Sequence, residues 1–178
     1  MKCLTKRQIL TCMMMLSFLE NLLATNNVYI DPSVNHLLTV PQTAPSVYHV
    51  FSHGRTGELF LNGKWCNAYE IAQFLQPKIQ NSKFKIQSLN IYGCEFAKGD
   101  QGLFAVRYLE KELGVSIAAS TNITGRDGDW TLEVGETMDG IQLKDYRYNL
   151  AWTLSDTCAT CDFDGDGIAN NTDLDDDN

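Results

Sequence analysis

The sequence predicts one α/β domain built on a mostly parallel central sheet, layered with helices as a sandwich and followed by a short irregular tail. Three observations carry this. Apolar runs rich in β-branched and aromatic residues recur along the chain and stop at glycine. Segments with helical apolar spacing alternate with them in mid-chain, which is the pattern of βαβ units. The composition of the 178 residues, 44% hydrophobic and 20% charged, is that of a globular protein long enough for one real core.

The first residues read as an export signal. Lys2, Lys6 and Arg7 form a positive start, Ile9 to Leu19 is mostly apolar, and Ala24 is the expected cleavage point, so residues 1–24 would leave and the mature chain would begin near Thr25. The competing reading is an amphipathic first helix. The apolar run is too short for a comfortable membrane span, so no stable span is expected once the signal is removed.

Val28-Tyr29-Ile30 reads as the first strand, with Asp31-Pro32 as its exit turn. Pro41 and Pro45 bracket a connection to Val47–Phe51, a buried strand that runs into Ser52-His53-Gly54. Glu58–Leu61 and Lys64-Trp65 flank Asn62-Gly63, a hairpin signal. Asn67 caps a helix carrying Ala68, Ile71, Ala72 and Leu75, expected to end near Gln76 because Pro77 follows. Ile86–Ile91 is the next strand and runs into Tyr92-Gly93-Cys94. Leu103, Val106, Tyr108, Leu109 and Leu113 mark an amphipathic helix closed by Gly114. Val115–Ala119 is a further buried strand, Asn122–Asp129 a polar loop, and Trp130–Val134 an alternating strand with which Ile141–Leu143 is expected to pair.

The net charge of −8 has one source. Between Asp156 and Asn178 there are eight Asp and no Lys or Arg. The rest of the chain is balanced, which argues against a nucleic-acid-binding face. Of six Cys, Cys3 and Cys12 lie in the signal, while Cys66, Cys94, Cys158 and Cys161 remain. Cys66 follows Trp65 at a hairpin end and reads as structural. Cys158 and Cys161 form an isolated C-x-x-C in a polar linker, which is either a short-loop disulfide or two thiols rather than a zinc site.

The sharpest spacing lies in the tail. From Asp162, oxygen-bearing residues fall at positions 1, 3, 5, 9 and 12 (Asp162, Asp164, Asp166, Asn170 and Asp173), with Gly167 at position 6. Calcium needs six to eight hard oxygen ligands on a tightly turned loop, and this spacing supplies them. Asp175 and Asp177 read as the start of a second loop, and the break-off suggests a piece of a longer gene product. The competing reading is a solvated acidic tail.

His53 and Cys94 are the candidate catalytic pair. Each closes a buried strand and has a glycine beside it, and 41 residues of sequence separate them. Carboxyl ends of parallel strands line a common crevice. Cys is the nucleophile that needs least activation, and His is the side chain best suited to take and return its proton. The N–H groups of Gly54 and Cys94 are candidate oxyanion donors. His49, within its strand, reads as core, and His36 as solvated. Nothing identifies a third residue orienting His53. The competing reading makes Cys94 a small buried hydrophobe.

These residues carry a resemblance. Strand–Ser52-His53-Gly54, strand–Tyr92-Gly93-Cys94-Glu95 and the glycine-containing turn and helix after them are similar to the caspase and gingipain class of cysteine peptidases. More closely, residues 28–152 resemble an uncharacterised family, domain of unknown function 4347, found near the N-terminus of large bacterial adhesin-like surface proteins. The motifs are Val28–Asp31, His49–Gly54, Gly57–Leu59, Tyr92–Cys94 with Gly99 and Gly102, Ala118–Ser120 and Gly128–Glu133. The tail is similar to thrombospondin type 3 calcium repeats. The resemblances imply a caspase-like three-layer sandwich over residues 25–155 and a truncated calcium repeat over 156–178. They imply a secreted or cell-surface protein that is either a Cys–His endopeptidase, acting on a polypeptide or its own longer precursor, or a non-catalytic adhesion module.

Overall fold

The computed structural model describes residues 27–34 and 40–151. The signal region, His36, and the tail with Asp162, Asp164, Asp166, Asn170, Asp173, Asp175 and Asp177 lie outside the described residues. So do Cys158 and Cys161.

Four parallel strands form the main sheet in the order β1-β2-β6-β7: β1 is Val28–Ile30, β2 Val47–Phe51, β6 Ser88–Tyr92 and β7 Ser116–Ala119. The expected βαβ units are present. Between β2 and β6 run a small antiparallel sheet, β3 (Gly54–Arg55), β4 (Glu58–Leu61) and β5 (Lys64–Asn67), and helix α1 (Ala68–Gln80). Helix α2 (Gly99–Leu113) joins β6 to β7. Both crossovers step in the same direction across the sheet, and right-handed crossovers of that kind leave their helices on one face. Ile71, Ala72 and Leu75 of α1 and Ala105, Val106 and Leu109 of α2 accordingly join one cluster with Tyr48, Val50, Leu89, Ile91, Ile117 and Ala119. The fold is therefore mixed α/β with a largely parallel sheet. Among the described residues no helix is long and apolar enough to cross a membrane.

Local chemistry sets the boundaries. Asn62 and Gly63 take φ of 52° and 84° in the β4–β5 turn, the left-handed pair that a tight hairpin demands. The Asn67 side chain accepts the Glu70 N–H and Glu70 reaches back to the Asn67 N–H, both at 3.1 Å, so α1 opens on a capping box. Pro77 does not end α1, which runs on to Gln80. Pro77 O accepts the Asn81 N–H at 3.0 Å, and Ile79 packs on the core, so the final turn has both bonding and burial to hold it. Asp31, 1% exposed, ties the end of β1 to the hairpin: its carboxylate accepts from Tyr29 Oη, Ser33 N, Ser33 Oγ and Asn62 N at 2.6–3.0 Å. Burial and that carboxylate push the Tyr29 hydroxyl pKa upward.

The other face of the sheet is covered differently. Trp130–Val134 and Ile141–Leu143 do not form the expected strand pair. Leu132, Ile141, Leu143, Tyr146 and Leu150 are buried against Phe51, Tyr92, Cys94 and Ala118 from an irregular segment. Their alternation serves burial, not a ladder. Side chains of β6 hold the segment in place: Tyr92 Oη accepts the Ile141 N–H at 2.7 Å, and Asn90 Nδ2 donates to Met138 O at 2.8 Å.

Candidate active site

The register of β2 and β6 brings the two candidate residues together. Phe51 pairs with Tyr92, and His53 and Cys94 each lie two residues beyond that pair. Neighbouring strands lie about 5 Å apart, so both residues leave the sheet side by side at its carboxyl end. The junction is tight. A Cβ built on Gly54 would stand 2.5 Å from Gly93 C and 2.7 Å from Cys94 N, so only glycine allows the two chains this approach. Gly93 is less constrained, since a Cβ there would meet the end of the Leu59 side chain, Cδ2 at 2.7 Å, and Gly54 Cα only at 3.3 Å.

Cys94 is 1% exposed and His53 4%. Cys94 Sγ accepts the Thr124 N–H at 3.2 Å and lies 3.5 Å from Thr124 O, to which the thiol donates. Burial pushes its pKa up to about 11, and the Glu95 charge adds to this, while the Thr124 backbone bond pulls the other way. At neutral pH Cys94 is a thiol. Glu95, the next residue, takes φ of 56°, a left-handed conformation uncommon outside glycine. Its N–H donates to Asn122 O at 2.8 Å.

The oxyanion donor expected at Gly54 is engaged: its N–H donates to Leu150 O at 3.1 Å. Leu150 N in turn donates to Thr124 O at 2.8 Å. Gly54 therefore packs closely instead of leaving open backbone. Beside it lies a cleft of about 350 Å³ lined by Gly54, Arg55, Trp65, Cys94, Glu95, Ile123 and Ala151. The Arg55 guanidinium sits 4.2 Å over the Trp65 ring and pairs with Glu58.

The remaining candidates separate cleanly. His49 is fully buried on the irregular-segment side, 6.1 Å from the Tyr92 ring, with its pKa lowered to about 4 by burial, partly offset by Asp139. Cys66 is 3% exposed within the helix-side core, and burial raises its thiol pKa. Cys66 and Cys94 are both unbridged. Among the described residues no group of three or more His, Cys, Asp or Glu could hold a metal ion.

Sequence reasoning did not find Thr124, Leu150, Arg55 or Trp65. The first two act through backbone atoms and leave no side-chain signature. It also missed a second cleft, of about 420 Å³, between the start of α1 and the outer face of α2, where Tyr69 and Phe104 are 57% and 66% exposed. That cleft shares no lining residue with the Cys94 cleft.

A family model described as Domain of unknown function (DUF4347) matches residues 28–148, from β1 to the segment beside the Cys94 cleft. The chain belongs to this family. The family thus spans both candidate residues, the glycines between them and the Thr124 backbone clamp. No curated protein and no solved structure matches the chain.

Proposed function

We propose that this domain is a latent cysteine endopeptidase of caspase-like fold, exported to act at or beyond the cell surface on a polypeptide or on its own longer precursor. The observation that carries the reading is the equal placement of His53 and Cys94, each two residues past a paired strand end, with Cys94 and Gly54 lining one cleft. In the reaction, His53 takes the proton from Cys94 Sγ and the thiolate attacks the substrate carbonyl carbon. The carbonyl π pair becomes the oxyanion, received by the N–H groups of Gly54 and Cys94. The C–N bond then breaks, the amine leaves with the proton from His53, and water releases the acyl group.

The test is cleavage of a diverse peptide library by the mature chain, reduced and with calcium, read by mass spectrometry beside Cys94→Ala and His53→Ala. Cleavage lost in both variants supports the dyad. A folded chain that cleaves nothing, both as wild type and with the Leu150 cover loosened by Asn149→Ala, sinks it.

One observation favours a second reading, a non-catalytic surface module: the Cys94 thiol is 1% exposed and its pKa is pushed up to about 11. On that reading Cys94→Ala leaves function intact. Under either reading the acidic tail would bind calcium through Asp162, Asp164, Asp166, Asn170 and Asp173, with Asp175 and Asp177 beginning a second site. Titration calorimetry on the full chain and on Asp164→Ala tests this, and heats of binding that are equal in both would refute it.

A further inference from the structure

We infer that the segment Asn149–Ala151 occupies the groove in which an extended substrate chain would lie, so the domain carries its own strand as a displaceable occupant of the site. The inference rests on the peptidase reading of the Cys94 cleft and names the backbone groups that would read a substrate there. The segment is held by isolated bridges on two sides, with Leu150 at a bend between them. On one side Gly54 N–H donates to Leu150 O at 3.1 Å, and Gly54 and Ala151 form a parallel bridge. On the other, Leu150 N–H donates to Thr124 O at 2.8 Å, Arg126 N–H donates to Tyr148 O at 3.0 Å, and Gly125 and Asn149 form an antiparallel bridge.

Bonds made through the backbone alone can be taken over by another extended peptide, with side-chain pockets choosing among peptides. What marks the arrangement as more than packing is which groups it uses. The Leu150 carbonyl sits on the Gly54 N–H, one of the two groups assigned to an oxyanion. Thr124, which holds the inner edge of the strand, also holds the thiol through its N–H and C=O. Ala151 lines the same cleft as Cys94. The strand and the thiol are thus clamped by a single residue, and lifting one loosens the cover on the other. A substrate replacing Asn149–Ala151 would take the Gly54 N–H and the Thr124 C=O. Arg55 over Trp65 would face its flanking side chain.

The segment is tethered at its exposed end by Asn149, whose side chain accepts the Asp127 N–H at 2.9 Å and donates to the Asp127 carboxylate at 2.8 Å. Gly125 is the other handle: a Cβ there would stand 2.5 Å from Tyr148 O and 2.7 Å from Asn149 Cα. The experiment is iodoacetamide alkylation of the full chain, read peptide by peptide in the mass spectrometer, for wild type, Asn149→Ala and Gly125→Ala. Cys66, buried in the helix-side core, reports global unfolding in the same sample. Both variants should alkylate at Cys94 at least tenfold faster while Cys66 stays within twofold. A synthetic peptide of residues 146–154 should then slow Cys94 alkylation of Asn149→Ala again. Acceleration of both thiols together would make the strand part of the cooperative core and overturn the inference. So would variants that fold and leave the Cys94 rate unchanged, or a peptide that gives no protection. Peptide cleavage is scored separately. Faster alkylation without cleavage removes the peptidase reading and leaves the displaceable strand standing.

Discussion

The two faces of the parallel sheet are each buried under an apolar cluster, but their covers differ. Toward the helices, β2, β6 and β7 point Tyr48, Val50, Leu89, Ile91, Ile117 and Ala119, all apolar, and two capped helices close over them. Toward the irregular segment, the alternate positions of β2 and β6 include His49, Ser88 and Asn90, each fully buried. The cover there is fixed by individual bonds from Tyr92 Oη and Asn90 Nδ2 to the backbone. Apolar area holds the first face, and the second adds specific polar contacts to its own apolar cluster of Leu132, Ile141, Leu143, Tyr146 and Leu150. The second is the face that supplies Thr124 and Leu150 to Cys94, so the chemistry sits where the cover is least regular.

That contrast can be broken at several points. Leu89→Ala on the helix face leaves a cavity among rigid neighbours and should cost about 4 kcal/mol in urea unfolding. A cost near that of an exposed site would mean the helix layer is loosely packed. Acidification should attack the other face. The His49 pKa is about 4 in the folded protein against the usual 6.5, so the unfolded chain binds the proton more tightly. Stability should fall by up to about 3 kcal/mol as the pH drops from 6.5 toward 4, then level off. Urea midpoints across that range for wild type and His49→Gln should differ in slope, and identical slopes would show that His49 titrates normally. Asp31→Ala, at the edge joining both faces, orphans a buried set of donors and should cost about 2 kcal/mol, read as a lower midpoint at unchanged m-value. The smallest effect belongs to the α1 cap: Asn67→Ala should cost about 1 kcal/mol and leave the Cys94 alkylation rate unaltered.

The regular half of the molecule was legible in the sequence. Strand periodicity, Asn62-Gly63, the Asn67 cap and Gly114 each carry a local code, and the elements fall where that code places them, apart from the extra turn beyond Pro77. The irregular half was not. Trp130–Val134 and Ile141–Leu143 alternate like strands because Leu132, Ile141 and Leu143 are buried beside exposed neighbours, yet what satisfies their backbone is tertiary: Val134 bridges Ala119, and Ile141 meets a tyrosine hydroxyl. The placement of His53 and Cys94 was readable because strand ends and glycines are local signals. Their environment was not, because the groups that hold the thiol are the main-chain atoms of Thr124, and a backbone carbonyl has no letter in the sequence.

The Leu150 carbonyl on Gly54 also has a meaning in time. A ribosome delivers the chain from its N-terminus, so β2, β6 and Cys94 emerge before Thr124, and Leu150 follows later still. Gly54 must wait 96 residues for that partner. Until then the nascent domain has its strands and its thiol but not its cover. Synthesis therefore passes through an interval in which Cys94 is open to oxidants and to its surroundings, and the interval closes only when Leu150 arrives.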